Sequence, residues 1–183
     1  MLLVIMLNAE SLHKTYKGDG AEYQALRGVD LSIGRGECIS IIGKSGSGKS
    51  TLMHLLACLD SPTSGKIYVD GKDVSTLTEK AKNVLRNENF GFVFQQFFLN
   101  GRDTVLDNVA LPLRIRGVSN SQINPVALEA LAAVGMDDKA NKQAKDLSGG
   151  EKQRVGIARA LINQPQVIFA DAPMSAWWPR EPT

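Results

Sequence analysis

Long apolar runs are missing from this 183-residue chain. No stretch approaches the roughly 18 consecutive apolar residues that a membrane-spanning helix needs, so any work at a membrane requires a partner that supplies the span. The opening Met-Leu-Leu-Val-Ile-Met-Leu is short, with no basic lead-in and no small-residue cleavage site. It argues for an edge strand and against a secretory signal. Cysteine is scarce: Cys38 and Cys58 sit in apolar segments and match no metal or redox spacing. Both are expected as reduced core residues of a cytosolic protein. The two histidines, His13 and His54, match no catalytic position and are expected to be structural. Charge of one sign is absent too, since 21 basic residues face 19 acidic ones. A net charge of +2 is too small to imply nucleic acid or an acidic membrane surface as a partner. There is no internal repeat and no low-complexity tract. With 43% hydrophobic and 22% charged residues, the composition is that of a globular domain.

Against this plain background one run carries most of the information: Gly43-Lys44-Ser45-Gly46-Ser47-Gly48-Lys49-Ser50-Thr51. It has the spacing of a phosphate loop. The apolar run Cys38–Ile42 before it predicts a strand over 37–42. Leu52, Met53, Leu55, Leu56 and Leu59 after it recur at helical spacing. In that strand–loop–helix setting the glycines let backbone N–H groups converge on an anion, and the helix N-terminus adds its partial positive charge. Lys49 then reaches the β- and γ-phosphates, and the Ser50 hydroxyl is placed to ligate Mg²⁺.

Alternating apolar residues predict strands over 5–16 and 23–33, joined by the turn Lys17-Gly18-Asp19-Gly20, and another over 65–70 ended by Asp70-Gly71. A polar helix is expected from Thr78 to Asn87, then a short buried strand Gly91-Phe92-Val93-Phe94. Thr104 is placed to cap a helix running to about Arg116 and stopped by Gly117. A second helix spans Ser121 to Val134, with Pro125 in its first turns and Gly135 beyond its end. A third covers 151–163, and Val167-Ile168-Phe169-Ala170 reads as an apolar strand ending at Asp171.

Leu147-Ser148-Gly149-Gly150-Glu151-Lys152-Gln153-Arg154 lies directly before that third helix. A serine hydroxyl and open glycine N–H groups at a helix start form a second anion site. Together with the phosphate loop, this run is identified as the signature of the ATP-binding-cassette (ABC) ATPases. The segments Ser50–Asp60, Gly91–Gln96 and Asp107–Leu113 resemble one branch of that family, the lipoprotein-release and macrolide or antimicrobial-peptide export ATPases. The resemblance runs from residue 7 to residue 171. It implies an α/β phosphate-loop NTPase fold of ABC type, with an N-terminal antiparallel β layer, a RecA-like parallel core and a helical signature subdomain. The corresponding segments are 1–95 for the β layer and first half of the core, 96–150 for the helical subdomain, 151–171 for the signature helix and following strand, and 172–183 for an atypical tail.

The resemblance also implies a site. Gly43 to Thr51 would hold the phosphates of ATP. Tyr16, at the end of the first strand, would stack on adenine, an interaction worth roughly 1–3 kcal/mol by analogy with base stacking; Tyr23 is the residue most easily confused with it. Gln95 would touch Mg²⁺ and the attacking water, with Gln96 one register away. Asp171 would orient Mg²⁺ through its water or Ser50. Ser148, Gly149 and Gly150 would act in trans on the γ-phosphate held by a second subunit, in a head-to-tail dimer. The implied partner is a membrane permease docked near the Gln95 loop and the helical lobe, which would place the chain in the cytoplasm at the inner face of the membrane. No nucleic acid is implied: the segment between Gln95 and Leu147 has no coiled-coil run and no basic arm, unlike cassette proteins of DNA repair or translation.

The chain departs from the family after Asp171, where a catalytic glutamate gives way to Ala172 and the tail reads Pro173-Met174-Ser175-Ala176-Trp177-Trp178-Pro179-Arg180-Glu181-Pro182-Thr183. Both tryptophans and three of the seven prolines fall in the last thirteen residues, a change of composition that suggests a frameshift, a truncated frame or a cloning scar. The Leu-Asp turn and switch histidine that the family carries beyond this point are not in the sequence. Loss of the general base predicts a chain deficient in hydrolysis, since such a group contributes roughly 10²–10⁴ in rate. A non-catalytic regulatory subunit would suit Ala172 equally. The family's strand between 37–42 and 167–171 is also missing, so both runs are expected to keep unpaired inner edges and the chain to be marginally stable.

Overall fold

Two separate sheets organise the computed structural model, which describes residues 5–18 and 21–171. The described residues fall into two compact units divided between Val84 and Leu85. Residues 172–183, with Ala172 and the tryptophans, lie outside the described residues, as does the centre of the Asp19-Gly20 turn.

The first unit is built on an antiparallel sheet ordered β2-β1-β3-β4. Strands β1 (Ile5–Gly18) and β2 (Ala21–Gly34) pair along their whole length, from Leu7 opposite Ile33 to Tyr16 opposite Tyr23. The expected strands are both present and each is longer than its apolar pattern. β1 pairs on its other edge with β3 (Ser64–Val69), and β3 pairs with the two-residue β4 (Lys72–Asp73), which has no apolar pattern to announce it. Alternation holds over Leu7 and Ala9 in β1 and Ile67 and Val69 in β3, which are buried, with Met6 buried as well; a register shift between Ala9 and Leu12 returns Leu12 to the buried side. Helix α1 (Lys49–Leu56) turns Leu52, Leu55 and Leu56 inward, the stripe its spacing predicts. Cys58 is buried beside it, as expected.

One strand is not formed. Residues 37–42 have no regular structure, and Ile39, Ile41 and Ile42 are exposed, Ile42 by 88%. Cys38 is exposed as well, which corrects its expected place in the core. The physical reason is the ladder. An apolar run of this kind is a strand only with neighbours to take its N–H and C=O groups and layers to cover both faces. Among the described residues no strand pairs with it.

Helix α2 (Glu79–Asn89) spans the division between the units and leads into β5 (Phe90–Phe94). β5 pairs in parallel with β6 (Val167–Asp171), so the latter strand has one paired edge. Across this pair Phe169 meets Phe90 edge to face at 5.2 Å between ring centroids and stacks on Phe92 at 5.7 Å. Gly91 is required because helix α5 comes so close: an added Cβ would meet the Ala160 carbonyl oxygen at 2.5 Å.

The helical part of the second unit follows its punctuation closely. Thr104 caps α3 (Val105–Ile115), its hydroxyl accepting from the Asp107 N–H, and Gly117 ends it with a left-handed φ of 78°. Helix α4 (Asn120–Ala132) follows, with Pro125 in its second turn. Helix α5 (Gly149–Leu161) begins two residues earlier than its apolar period suggests, because Ser148 caps it. Val105, Val109, Ile123, Ala127, Leu131, Met136 and Val155 are fully buried in the core these helices share.

Candidate functional site

The phosphate loop belongs to the first unit. Gly48 stands at the N-cap of α1 with φ 88°, and a Cβ there would lie 2.6 Å from the Ala25 carbonyl oxygen, so only glycine fits. Gly43 is less confined: an added Cβ would meet the Ser47 hydroxyl at 2.8 Å, a side chain that can turn away. No side chain caps α1 and no acidic residue stands in its first turn. Its leading N–H groups and positive dipole end are therefore presented toward the loop, the arrangement that binds phosphate. The Lys49 ammonium donates to the carbonyl oxygens of Gly43 at 2.9 Å and Lys44 at 2.7 Å. The loop is thus wound around its own lysine. Ser45, Gly46, Ser47 and Ser50 are exposed along it. These residues fit a triphosphate: donors and a fixed cation converge with no carboxylate among them. The Ser50 hydroxyl would be a ligand for Mg²⁺, which would neutralise phosphate charge when bound.

Beside the loop stands a feature that the motif does not announce. Tyr23 donates its hydroxyl to the Gly46 carbonyl oxygen at 2.9 Å, strapping the loop to β2. Across the β1–β2 ladder its partner is Tyr16, whose hydroxyl donates to Asp60 Oδ2 at 3.0 Å. Lys14 Nζ lies 4.8 Å from the centre of the Tyr16 ring and donates to Asp60 Oδ1 at 2.7 Å and to the Ser61 carbonyl at 2.7 Å. Partial burial pushes the Asp60 carboxyl up. The bonds from Lys14, the Ser61 N–H and Tyr16 outweigh this and hold it below the usual range.

The second unit carries the remaining predicted residues. Asp171 ends β6 opposite Phe94, the last residue of β5, and Gln95 and Gln96 follow Phe94 in an exposed bend. Gln95 and Asp171 are therefore neighbours at the carboxyl end of a parallel pair, where α/β sheets bind their ligands. The segment beyond them is held by a residue with no motif. Arg159 of α5 is desolvated, which pushes its pKa down, and donates to the carbonyl oxygens of Phe97 and Phe98 at 2.8 Å each. Phe98 takes a left-handed φ of 47°. Phe97, Phe98, Leu99, Gly101, Ala144, Lys145 and Lys152 line an open cavity next to it.

Ser148 forms a full capping box at the start of α5: its hydroxyl accepts from the Glu151 N–H, and Glu151 Oε2 accepts from the Ser148 N–H. Lys139 donates to the other Glu151 oxygen. These bonds, Lys139 first, bring the Glu151 pKa down to about 2. A Cβ added at Gly149 or Gly150 would meet nothing within 4 Å. Packing within the chain does not ask for glycine there, so the two residues leave a bare backbone face open at an exposed helix start. Neither His13 nor His54 joins these clusters, and no group of three or more metal-ligating side chains exists among the described residues.

A glycine loop opening an uncapped helix places the chain among phosphate-loop proteins, and comparison with known proteins narrows the class. The family described as ABC transporter matches residues 26–175. The lipoprotein-releasing system ATP-binding protein LolD of Bacteroides thetaiotaomicron is 46% identical over 168 residues, which is 92% of this chain and 75% of that protein. Among solved structures, the dimeric bacterial ABC transporter cassette MJ0796 superposes with a TM-score of 0.86 at 42% identity, covering 93% of this chain and 75% of that one. A post-hydrolysis dimer of the same cassette, bound to ADP and Pi, gives 0.84 at 39% identity, covering 93% and 78%. The chain belongs to the ABC transporter family, on the side of its ATP-binding subunits. The fold expected from the signature and the phosphate loop is therefore the fold observed.

Proposed function

We propose that this chain is the nucleotide-binding subunit of an exporter-type ABC transporter, binding ATP with Mg²⁺ between two subunits arranged head to tail. The observation that carries this reading is the phosphate loop, with glycine enforced at Gly48 and Lys49 held at its centre. In this reading Lys49 and the loop N–H groups bind phosphate, Ser50, Gln95 and Asp171 hold Mg²⁺ and the water beside it, and Tyr16 carries the adenine. The open backbone at Gly149 and Gly150, beside Ser148, covers the γ-phosphate bound by the other subunit. The likeness to LolD and to dimeric cassettes supports the dimer and a membrane permease as partners. No helix among the described residues is long and apolar enough to cross a membrane, so the permease would supply the span and hold the chain at the inner face. The cavity beside Phe97 and Phe98 is the surface offered to it.

The test is ATP affinity in the parent chain and in Lys49→Ala. Removing a cation that faces two phosphates is expected to weaken binding about a hundredfold or more, at roughly 1.4 kcal/mol per tenfold. Equal affinities would remove the assignment.

A second reading rests on one residue. Ala172 stands where the family places its general base, which favours a subunit that binds ATP and closes but does not turn it over. Mg²⁺-dependent phosphate release from the parent chain separates the two: turnover near that of an intact cassette would exclude the non-catalytic subunit.

A further inference from the structure

Tyr16 is attached to the rest of the protein in an unusual way for a residue that is 40% exposed. Its hydroxyl is tied down by Asp60, and one face of its ring lies under the Lys14 ammonium. Lys14 and Asp60 are themselves joined, and their side chains are only 12% and 31% exposed. Asp60 is fixed from a third side, since its Oδ1 accepts from the Ser61 N–H at 2.6 Å. The segment that carries Asp60 is docked on β1 as well: Thr63 donates its N–H to the His13 carbonyl, and the Thr15 N–H donates to the Thr63 hydroxyl.

This arrangement has a directional consequence. A tyrosine on an exposed strand end turns freely about χ1 and χ2, and freezing those angles at the moment of stacking weakens the binding of a base. Here the two rotors are stopped beforehand by a bond at the tip and a cation over one face. With that face taken, a base has the opposite face left to stack on. The cation also attracts the ring's electron-rich face at the distance where such contacts are favourable, so it holds the plane and not only the position.

We propose that Asp60 and Lys14 are positioning residues that fix the plane of the Tyr16 ring for the nucleotide's base. The proposal rests on the assignment of Tyr16 to adenine made above. It adds that a carboxylate and an ammonium, remote from the phosphate loop in sequence, set base affinity without touching the nucleotide.

The experiment compares two ligands in the full chain: ATP, which has a base, and inorganic tripolyphosphate, which has none. Tyr16→Ala is expected to lose about tenfold or more in ATP affinity and to keep tripolyphosphate affinity within about twofold. Asp60→Ala and Lys14→Met are expected to lose about five- to tenfold for ATP, again with tripolyphosphate unchanged. Asp60→Asn, which keeps an acceptor for the Tyr16 hydroxyl, is expected to recover most of the loss. In the Tyr16→Ala background, Asp60→Ala should have no further effect. A merely structural ion pair would behave differently, because its removal would lower both ligands together. Equal loss of ATP and tripolyphosphate in Asp60→Ala and Asp60→Asn therefore overturns the proposal. So does a normal ATP affinity in Asp60→Ala when Tyr16→Ala is impaired, and that outcome leaves the base assignment standing. If Tyr16→Ala itself binds ATP normally, the base assignment falls and the proposal with it. A parent chain that binds neither ligand removes the nucleotide reading as a whole.

Discussion

The two glycine-rich segments of this chain are held in different ways. The signature run, Leu147 to Arg154, opens a helix whose inner face reaches a fully buried core: Val155 has no exposed surface, and Leu131 and Met136 beside it have none either. Its cap is closed on both sides by the Ser148–Glu151 bonds. The phosphate loop also opens a helix, but the segment leading into it, residues 37–42, has no ladder and shows its isoleucines to solvent. Its conformation comes from short-range restraints instead: the Gly48 backbone against Ala25, the Lys49 ammonium on two carbonyls, and the Tyr23 hydroxyl on Gly46. A helix-start anion site therefore keeps its shape through a few contacts within the loop and with β2, whereas the strand that usually braces it needs a neighbour.

The largest effect expected from this contrast is in the second unit. Leu131→Ala removes a side chain with no exposed surface from the helical core and should cost about 2–5 kcal/mol in chemical denaturation. A cost below 1 kcal/mol would mean that the core is no better packed than the segment before the phosphate loop, and the contrast would collapse.

Ser148→Ala comes next. It opens the capping box and should cost about 0.5–2 kcal/mol, read by the same denaturation midpoint. Its sequel is a pH dependence. The Glu151 pKa is brought from 4.5 to about 2 in the folded chain, chiefly by Lys139. The folded pKa is the lower one, so the contribution is fully present above pH 4.5 and is lost as pH falls from 4.5 toward 2. Glu151→Gln should flatten the stability profile across that window and lower stability near neutrality, where the charged form contributes in full. An equally steep acid limb in the variant would show that other carboxylates carry it.

Much of this was legible in advance, and the reason differs from element to element. Thr104, Gly117 and Gly135 act on the chain within a few residues of themselves, so helix ends can be read from them. The phosphate loop and the signature are legible because an anion site at a helix start is local as well. Residues 37–42 differ from the strand their apolar run predicts for the opposite reason: such a run says that a segment is suited to burial, while the strand that the family places beside it is missing from the sequence, and no ladder forms. Lys14, Asp60 and Arg159 are not legible in this way, because each acts on a segment far away in sequence. Lys14 meets Asp60 and Arg159 meets Phe97 only once the fold has brought them together. A lysine in a strand and an arginine in a helix carry no local mark of such a role.

The smallest expected effect makes the sharpest test of the contrast. Ile42 immediately precedes Gly43 and is 88% exposed, with Ile39 and Ile41 at 44% and 40%. If the segment has no strand partner, as described, Ile42→Ser removes little packed surface, and its stability change should stay within about 0.5 kcal/mol of zero, the range of ordinary surface positions. Burying the same side chain in a braced strand would instead contribute about 1.5–3 kcal/mol, and its loss would add a cavity term. The two situations differ by several times the error of a denaturation midpoint. A second consequence separates them further. Three exposed isoleucines on a segment with no strand beside it form an apolar patch open to intermolecular contact, so Ile42→Ser should raise the concentration at which the chain stays monomeric in light scattering. The phosphate loop should be indifferent to the change, because Gly48, Lys49 and Tyr23 hold it without help from Ile42. An Ile42→Ser variant that loses more than 1 kcal/mol of stability, or loses ATP affinity, would show that residues 37–42 do brace the loop as a strand.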